Sequence, residues 1–423
     1  MKSILTPIAA TSLLVAVAVA QPMARPQPRF RVTDLGPAGN PFSQAAWINN
    51  FGVVAGSDTI GGYSHAVLWF DGLSADISKP GLGGPNIAAG GVNDLFQVMG
   101  GGETSALDPN NENFCGYGTG LQCLAFLWQF GMFTKLSPLP GGTNSGFGAI
   151  NNLGQVAGYA ENGVKDPACP GYGPPPHVLP ANGTGPQLLD FEAVIWGPNG
   201  RIQKELSPLK GDTVAIALAI NDVGQAAGMS GTCANTVIPG FTAAAHAVLW
   251  DSDGSVHDLG NLGGTSNPQV LGLGNGALSM NNEGQVVGVS ALPVSKAAGC
   301  PGTPPNPACF PFHAFLWTRE QGLQDLGVLP GDFVGAGLSI NNRDEIVGAS
   351  VSSPGAQNGF PRAFLWQNGV MRDLNALVPT NSPLHLATAF SINDVGQIAG
   401  FGFVTSGPNG GEVHAFLATP VFP

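Results

Sequence analysis

The apolar residues of the chain fall in short runs of about five, bounded by Gly, Asn, Asp or Pro, as is typical of strands joined by turns. A run that ends in Ile-Asn is followed at once by a second run, as in SINNRDEIVGAS (339–350) and SINDVGQIAGFG (391–402). Asparagine can hydrogen-bond its own backbone at the first turn position, and glycine accepts a positive φ at the last. This pattern predicts a tight β-hairpin.

The hairpin recurs seven times, and a third strand pattern of the form His-Ala-Phe-Leu-Trp follows each copy. The first turn positions are Asn49, Asn93, Asn151, Asn221, Asn281, Asn341 and Asn393. The third pattern stands at 65–69, 124–128, 192–196, 246–250, 313–317, 362–366 and 414–418. A fourth short run, such as Asp258 with Leu259, comes next. Four strands repeated around a ring indicate a β-propeller.

The seventh copy ends after HAFLA (414–418), whereas RFRVTDLG (29–36) has the fourth-strand pattern with no strands before it. Pairing this leading strand with the last blade would close the ring and leave no open sheet edge. We therefore predict an all-β fold, a seven-bladed β-propeller of four-stranded blades over residues 29–419, and a tail at 420–423. Phe96 replaces the turn glycine in the second copy and predicts a distorted hairpin, whereas Asp344 in the sixth should be tolerated.

The tandem HAFLW, DLG, IN and GQVVG pattern, over roughly residues 30–418, resembles the HAF-type extracellular repeat family of bacterial secreted proteins. The resemblance implies secretion and a repeat fold, and it brings no established activity and no catalytic residues. The chain departs from the pattern at Leu124, Glu192 and Arg362, in the histidine position, and at Ala418, in the tryptophan position.

The first twenty residues, MKSILTPIAATSLLVAVAVA, have the layout of a secretory signal peptide, with Lys2, an apolar stretch and small residues before Gln21. An uncleaved membrane anchor is the alternative, although the apolar part is short for a bilayer span. We expect residues 1–20 to be removed, 21–28 to form a leader, and the secreted chain to have no membrane span. The net charge of −12, with 15 basic residues, argues against nucleic-acid binding.

The links between second and third strands are long and variable in length, and such loops on a rigid scaffold are where binding usually resides. All six cysteines lie there, and an even number in an exported chain predicts disulfides. We predict the pairs Cys115 with Cys123, Cys169 with Cys233, and Cys300 with Cys309. The links also contain the candidate ligand-face aromatics Tyr63, Tyr117, Tyr159 and Tyr172, with Phe114, Phe241, Phe310 and Phe360. These rings could stack on sugars or anchor a partner, or they could pack the loops onto the blades.

Other polar residues are explained by the repeat. His65, His246, His313 and His414 share one repeat position, which favours a blade-stabilising hydrogen bond. Asp94, Asp222 and Asp394 belong to the turns. Asp108, Asn110 and Glu112 alternate as calcium ligands do, but they lack the glycine and distant glutamate of a calcium loop, so a solvated loop is expected. The remaining carboxylates assigned to the long links are Asp58, Glu103, Glu161, Asp166, Asp190 and Glu412.

No catalytic, cofactor-binding or metal-binding residue is predicted, because the chain has no Walker A lysine, His-Glu-x-x-His or Gly-x-Ser-x-Gly motif. The first hypothesis is a secreted, monomeric, non-catalytic binding or scaffold propeller whose long loops contact a polysaccharide or a cell-surface protein. The alternative is an extracellular glycan hydrolase or lyase, which would need two carboxylates facing the scissile bond. A purely structural surface protein is the third possibility.

Overall fold

The computed structural model describes residues 29–36, 42–169, 187–233, 236, 244–264, 274–293, 312–352 and 360–421. These residues form seven four-stranded antiparallel sheets arranged as the blades of a propeller, as the sequence predicts. The proposed signal peptide and leader lie outside the described residues. So do Tyr172, Phe241, Cys300, Cys309 and Phe310.

The strands are numbered in chain order. Blade 1 contains β2 (Ser43–Ile48), β3 (Val54–Ile60), β4 (Tyr63–Phe70) and β5 (Leu73–Asp76). Blade 2 contains β6 (Gly83–Val92), β7 (Val98–Leu107), β8 (Leu121–Gln129) and β9 (Met132–Leu136). Blade 3 contains β10 (Ser145–Ile150), β11 (Val156–Lys165), β12 (Leu189–Trp196) and β13 (Ile202–Leu206). Blade 4 contains β14 (Val214–Ile220), β15 (Ala226–Gly231), β16 (His246–Trp250) and β17 (Val256–Asp258).

Blade 5 contains β18 (Gly276–Met280), β19 (Val286–Ala291), β20 (Phe312–Thr318) and β21 (Gly322–Gly327). Blade 6 contains β22 (Val334–Ile340), β23 (Ile346–Val351), β24 (Arg362–Gln367) and β25 (Val370–Asp373), followed by a short 3-10 helix (Leu374–Leu377). Blade 7 contains β26 (Leu384–Ile392), β27 (Ile398–Val404), β28 (Val413–Val421) and the leading strand β1 (Arg29–Asp34).

The two ends of the described chain meet in blade 7. β1 pairs antiparallel with β28, so that Val32 lies opposite Ala418 and Asp34 opposite Phe416. The Phe30 side chain is 3% exposed and packs into the apolar core shared by blades 6 and 7. β28 continues to Val421, two residues past the boundary expected at 419. The leading strand therefore completes the ring, as predicted.

A glycine in the second strand of each blade fits a bulge in the first strand. In blade 1 the register of β2 shifts between Ala45 and Trp47. A Cβ atom added at Gly56 would lie 2.0 Å from the Gln44 carbonyl oxygen. The same approach recurs in blade 4, where a Cβ at Gly228 would lie 1.9 Å from the Ile216 oxygen. The close approach of the first-strand backbone thus explains why the second strand of each blade has glycine at this position.

The hairpin of blade 2 is regular, so the predicted distortion is wrong. Phe96 itself adopts a left-handed conformation, with φ of 58°. The Asn93 amide donates to the Gln97 carbonyl at 3.0 Å, and the Phe96 amide donates to the Asn93 carbonyl at 3.1 Å. The Phe96 ring stacks on Phe51 of blade 1, with centroids 5.6 Å apart. Asp344, with φ of 59°, takes the same position in blade 6, as expected.

In the part of the chain that the structure describes, no helix is long and apolar enough to span a membrane.

Candidate functional site

The first turn asparagines link all seven blades in a closed ring of hydrogen bonds. The Oδ1 atom of Asn49 accepts the amides of Phe51 and Val53 in its own turn, as predicted. Its Nδ2 atom donates across to the Asn93 carbonyl of blade 2 at 3.0 Å. The equivalent contact occurs at every blade junction, at 2.9–3.2 Å, and Asn393 closes the circle onto Asn49. These asparagines are 3–4% exposed, and they connect neighbouring blades by hydrogen bonds around the axis.

The second turn residues form a further closed ring. Each backbone amide donates to the side-chain oxygen of the next blade's residue at 2.8–2.9 Å. In blade order the residues are Asn50, Asp94, Asn152, Asp222, Asn282, Asn342 and Asp394. No two aspartates are neighbours in this ring. A ring of seven positions can hold at most three aspartates if none is to be next to another. Asparagine amides donate to each carboxylate, as Asn50 Nδ2 does to Asp94 Oδ2 at 3.0 Å.

The two rings line a pit of about 140 Å³ on the axis, which we call the axial pit. The face that contains it, with the hairpins between first and second strands, is the turn face, and the opposite face is the loop face. The described residues that line the pit include the three ring aspartates and no Lys, Arg or His. From the sequence we expected binding on the loop face, and the pit was not expected. The signal was available: both turn positions are Asn or Asp in all seven copies, whereas the turn itself needs only the first.

The recurring histidines form the blade-stabilising hydrogen bonds that the sequence predicts. The Nδ1 atoms of these histidines lie 2.8–3.0 Å from a carboxylate at the end of the fourth strand, in the pairs His65 with Asp76, His246 with Asp258, His313 with Asp325, and His414 with Asp34. In blade 6 the replacement residue, Arg362, contacts Asp373 at 3.1 Å instead. The residue at this position of the third strand thus holds the outermost, fourth strand of its blade in place.

His414 is the most buried of these histidines, at 3% exposed, and its Nε2 atom lies 3.2 Å from Glu412. Burial by itself would lower the pKa of His414. The hydrogen bonds and charges of Asp34 and Glu412 outweigh burial, so that the pKa is raised. The two carboxylates therefore favour the protonated form of the imidazole at the junction between the two ends of the chain.

The predicted ligand-face tyrosines are not gathered in one place. Tyr63 is 51% exposed, but β3 and β4 extend until only Gly61 and Gly62 separate them, so the predicted long link of blade 1 is a tight hairpin. Tyr117 lies in the loop after β7, partly buried beside Ser64.

Tyr159 belongs to β11 rather than to a link. Its ring packs between Phe114 and Phe191, at centroid distances of 5.4 and 6.1 Å, and Phe114 itself is 5% exposed. Tyr159 and Phe114 therefore pack the loop onto the blades, the second of the two alternatives that the sequence left open, and Tyr159 does so from a strand because pairing in β11 continues past the apolar run.

An aromatic row starts at the loop face, just before β24 of blade 6, and runs inward along blade 7 toward the turn face. It consists of Phe360, Phe403, Phe401 and Phe390, with successive ring centroids 5.2, 6.1 and 5.8 Å apart. Phe360 is 60% exposed, and the other three are partly exposed. The row begins just before β24 and ends on β26, the innermost strand of blade 7. Only Phe360 was singled out from the sequence, because the other three lie within strand patterns. We call this group the phenylalanine row.

The acidic loop of blade 2 is buried, which corrects the expectation of a solvated loop. Asp108 and Glu112 are 6% and 1% exposed, and they converge with Glu161 of β11 on one side-chain amide. Asn144 Nδ2 lies 2.8 Å from Asp108 Oδ2 and 3.1 Å from Glu161 Oε1. Glu112 Oε1 also accepts the Leu189 amide at 3.0 Å. The loop therefore folds onto blade 3, and its carboxylates bind protein amides.

The surroundings of Glu112 favour its protonated form. Burial raises the pKa of Glu112 to about 8, and the nearby charge of Glu161 and a hydrogen bond between the two carboxyl groups act in the same direction. Asn110, the remaining residue of the suggested calcium pattern, donates its backbone amide to Asp108 Oδ1 at 2.9 Å.

Asp190 of β12 is a second buried carboxyl group, 7% exposed, and its Oδ1 atom has no hydrogen-bond partner. Burial, followed by the charge of Asp166 and a hydrogen bond with it, raises the pKa of Asp190 to about 7. Its carboxylate lies within 4.8 Å of the sulfur atoms of Cys169 and Cys233.

Two of the three predicted disulfides are present, and the third falls outside the described residues. Cys115 and Cys123 close the loop of blade 2, with Cα atoms 5.4 Å apart. Cys169 and Cys233 connect the loops of blades 3 and 4, with Cα atoms 4.6 Å apart. Because both sulfurs beside Asp190 are in a disulfide, they are not thiolate ligands for a metal.

Comparison with known proteins gives distant structural similarities and no family. No family model matches the chain, and no curated protein does. An acylaminoacyl peptidase from Pyrococcus horikoshii is similar over 91% of this chain, with 9% identity and a TM-score of 0.48, and this chain spans about half (53%) of that one. The β-propeller domain of the trilobed protease from Pyrococcus furiosus is similar over 90% of this chain and 98% of its own, with 7% identity and a TM-score of 0.47. The polysaccharide lyase Uly1 is similar over 88% of both chains, with 10% identity and a TM-score of 0.41.

Proposed function

We propose that the protein is a secreted, non-catalytic binding propeller that holds a polysaccharide against the loop face of blades 6 and 7. The phenylalanine row is the observation that supports this role most directly. Aromatic faces can stack on the C–H faces of sugar rings, and successive rings 5–6 Å apart, tilted at 42–86° to one another, form an apolar track that begins at the exposed Phe360. The secreted setting rests on the signal-peptide pattern and on the disulfides.

The surrounding scaffold supports such a track. Phe401 and Phe403 lie on β27, and Phe390 lies on β26, so three of the four rings project from paired strands. The His385 imidazole, 6.1 Å from the Phe360 ring, binds the Pro361 carbonyl at 2.9 Å and fixes the chain beside Phe360. Rings held by strands lose little conformational freedom on binding, which favours affinity.

Affinity electrophoresis through gels containing single soluble polysaccharides, both neutral and acidic, tests this proposal. At least one polysaccharide should retard the mature protein, and Phe360→Ala with Phe403→Ala should weaken that binding by about tenfold or more. Phe130→Ala is the matched control, because Phe130 is 79% exposed but lies on the turn face. Retardation that is unchanged in the double variant, or binding confined to protein partners, would contradict the proposal.

A glycan hydrolase or lyase is the second candidate, favoured by one observation. Asp190 is a carboxyl group with a free Oδ1 atom and a pKa of about 7, which suits a general acid, and Asp166 lies beside it. Release of reducing ends or of unsaturated sugars from a bound polysaccharide, abolished by Asp190→Asn, would support catalysis. Binding without product release would support the first function.

A further inference from the structure

The third turn positions place exposed apolar side chains around most of the axial pit. Blades 7, 1, 2, 3 and 4 present, in that order, Val395, Phe51, Leu95, Leu153 and Val223, which are 50–60% exposed. We call these five residues the apolar arc. Blades 5 and 6 carry Glu283 and Arg343 there instead.

The apolar arc is not required by the fold. The hairpin hydrogen bonds use the side chain of the first turn residue and the backbone of the others, and the ring contacts use the second residue. Glu283 and Arg343 show that a polar third residue is compatible with the same turn. The same face also exposes Leu73 and Met132, on the hairpins between third and fourth strands of blades 1 and 2, at 75% and 72%. Exposed apolar side chains grouped on one face in this way mark an interaction surface.

The axial pit carries negative charge, which favours a positively charged group as its ligand. Asp94, Asp222 and Asp394 are half-buried at its wall, and their oxygens accept hydrogen bonds from neutral amides only. The described lining residues contain no compensating cation. A volume of about 140 Å³ is smaller than the pockets that enclose whole small-molecule ligands, but it has room for one side chain.

We propose that the turn face docks a segment of a partner protein that places one lysine or arginine side chain in the axial pit and apolar side chains on the apolar arc. Charge complementarity specifies the cationic residue, and the surrounding apolar side chains exclude water from the contact. A bare metal ion would use the carboxylates but would leave the arc uncovered. The exposed end of the phenylalanine row, Phe360, lies on the opposite face, and neither the axial pit nor the apolar arc contains a residue of the row, so the inference is independent of polysaccharide binding.

Fluorescence anisotropy with two labelled, amidated peptides tests the proposal on the full mature protein. One peptide has a lysine between two pairs of leucines, and the other has glutamine in place of the lysine. The lysine peptide should bind about tenfold tighter. Replacement of the three aspartates by asparagine (Asp94→Asn, Asp222→Asn and Asp394→Asn) should remove this preference. Four blades already carry asparagine at the position, so the variant should fold, as a thermal denaturation scan would verify.

Two further variants separate charge from the apolar contribution. Asp71→Asn removes an exposed carboxylate from another hairpin on the same face and should leave the preference for lysine intact. Leu153→Ser with Val223→Ser should weaken both peptides by a similar factor. Equal binding of the two peptides by the wild type, or a lysine preference that persists in the asparagine variant, would overturn the proposal. So would calorimetric calcium binding without peptide binding, or dimerisation that the serine variant abolishes, since either assigns the face to another occupant.

Discussion

The same substitution, asparagine to aspartate, should reduce stability much more at Asn281 than at the neighbouring Asn282. Asn281 is 4% exposed, and its Nδ2 atom donates to Asn341 O at 3.2 Å and to Gln285 Oε1 at 2.7 Å. Aspartate there would direct a carboxylate oxygen at two acceptors in a buried site. We expect Asn281→Asp to lower the free energy of unfolding by about 3–5 kcal/mol. Asn282→Asp would lose a hydrogen bond to Asp222 Oδ2 and place two carboxylates side by side, but water screens this exposed position, so the cost should stay at about 1 kcal/mol or less. Chemical denaturation measures both, and similar losses would contradict a structural role specific to the buried ring.

At the same scale, the sequence explains the residues that act within their own repeat better than those that act between repeats. The Oδ1 contacts of Asn49 follow from turn chemistry, whereas its Nδ2 contact depends on how closely the next blade approaches. The histidine position was interpretable because its aspartate partner lies in the same blade. Glu112 was expected in solvent because its local sequence is polar. Its burial arises from Leu189, far along the chain, whose amide it accepts.

The leading strand offers a test at the scale of a single element. Phe30 and Arg31 are adjacent in β1, but Phe30 is 3% exposed and Arg31 faces solvent. Removing the buried ring would leave a cavity in the core of blades 6 and 7. Phe30→Ala should therefore lower the free energy of unfolding by about 3–5 kcal/mol. Arg31→Ala should change it by less than about 0.5 kcal/mol. Thermal or chemical denaturation provides the comparison. A small effect of Phe30→Ala would indicate that the ring holds together without β1.

Strand number and order were predictable from the sequence, but strand ends were not. Each apolar run marked the buried centre of a strand, and the count of four runs per repeat gave the correct blades. Pairing then continues through polar residues, as in β11, which runs to Lys165, because neighbouring backbones already lie in register. This continuation turned the supposed link around Tyr63 into a tight hairpin and moved Tyr159 into a strand. Loop-face predictions were therefore less accurate than the blade count.

At the scale of the whole molecule, three buried groups bind protons more tightly in the folded state. Burial raises the pKa of Glu112 from 4.5 to about 8 and that of Asp190 from 3.8 to about 7. The pKa of His414 is raised by its two carboxylate partners, against the effect of burial. For each group, stability is fully present below the unfolded pKa and is lost as pH rises through the folded pKa. All three contributions therefore have the same sign.

The thermal midpoint should consequently fall by several degrees between about pH 5.5 and pH 8.5, a direction that follows from proton release on unfolding. Glu112→Gln isolates one contribution, because a glutamine carbonyl can still accept the Leu189 amide while its NH₂ group can donate to Glu161, as the protonated acid does. This variant should be less sensitive to pH and more stable than the wild type at the alkaline end. Glu205→Gln, at an exposed position of β13, is the matched control and should follow the wild type. A midpoint that rises toward pH 8.5, or a Glu112→Gln profile identical to the wild type, would show that the carboxyl pair is ionised in the folded protein. The loop of blade 2 would then need another source of stability where it meets blade 3.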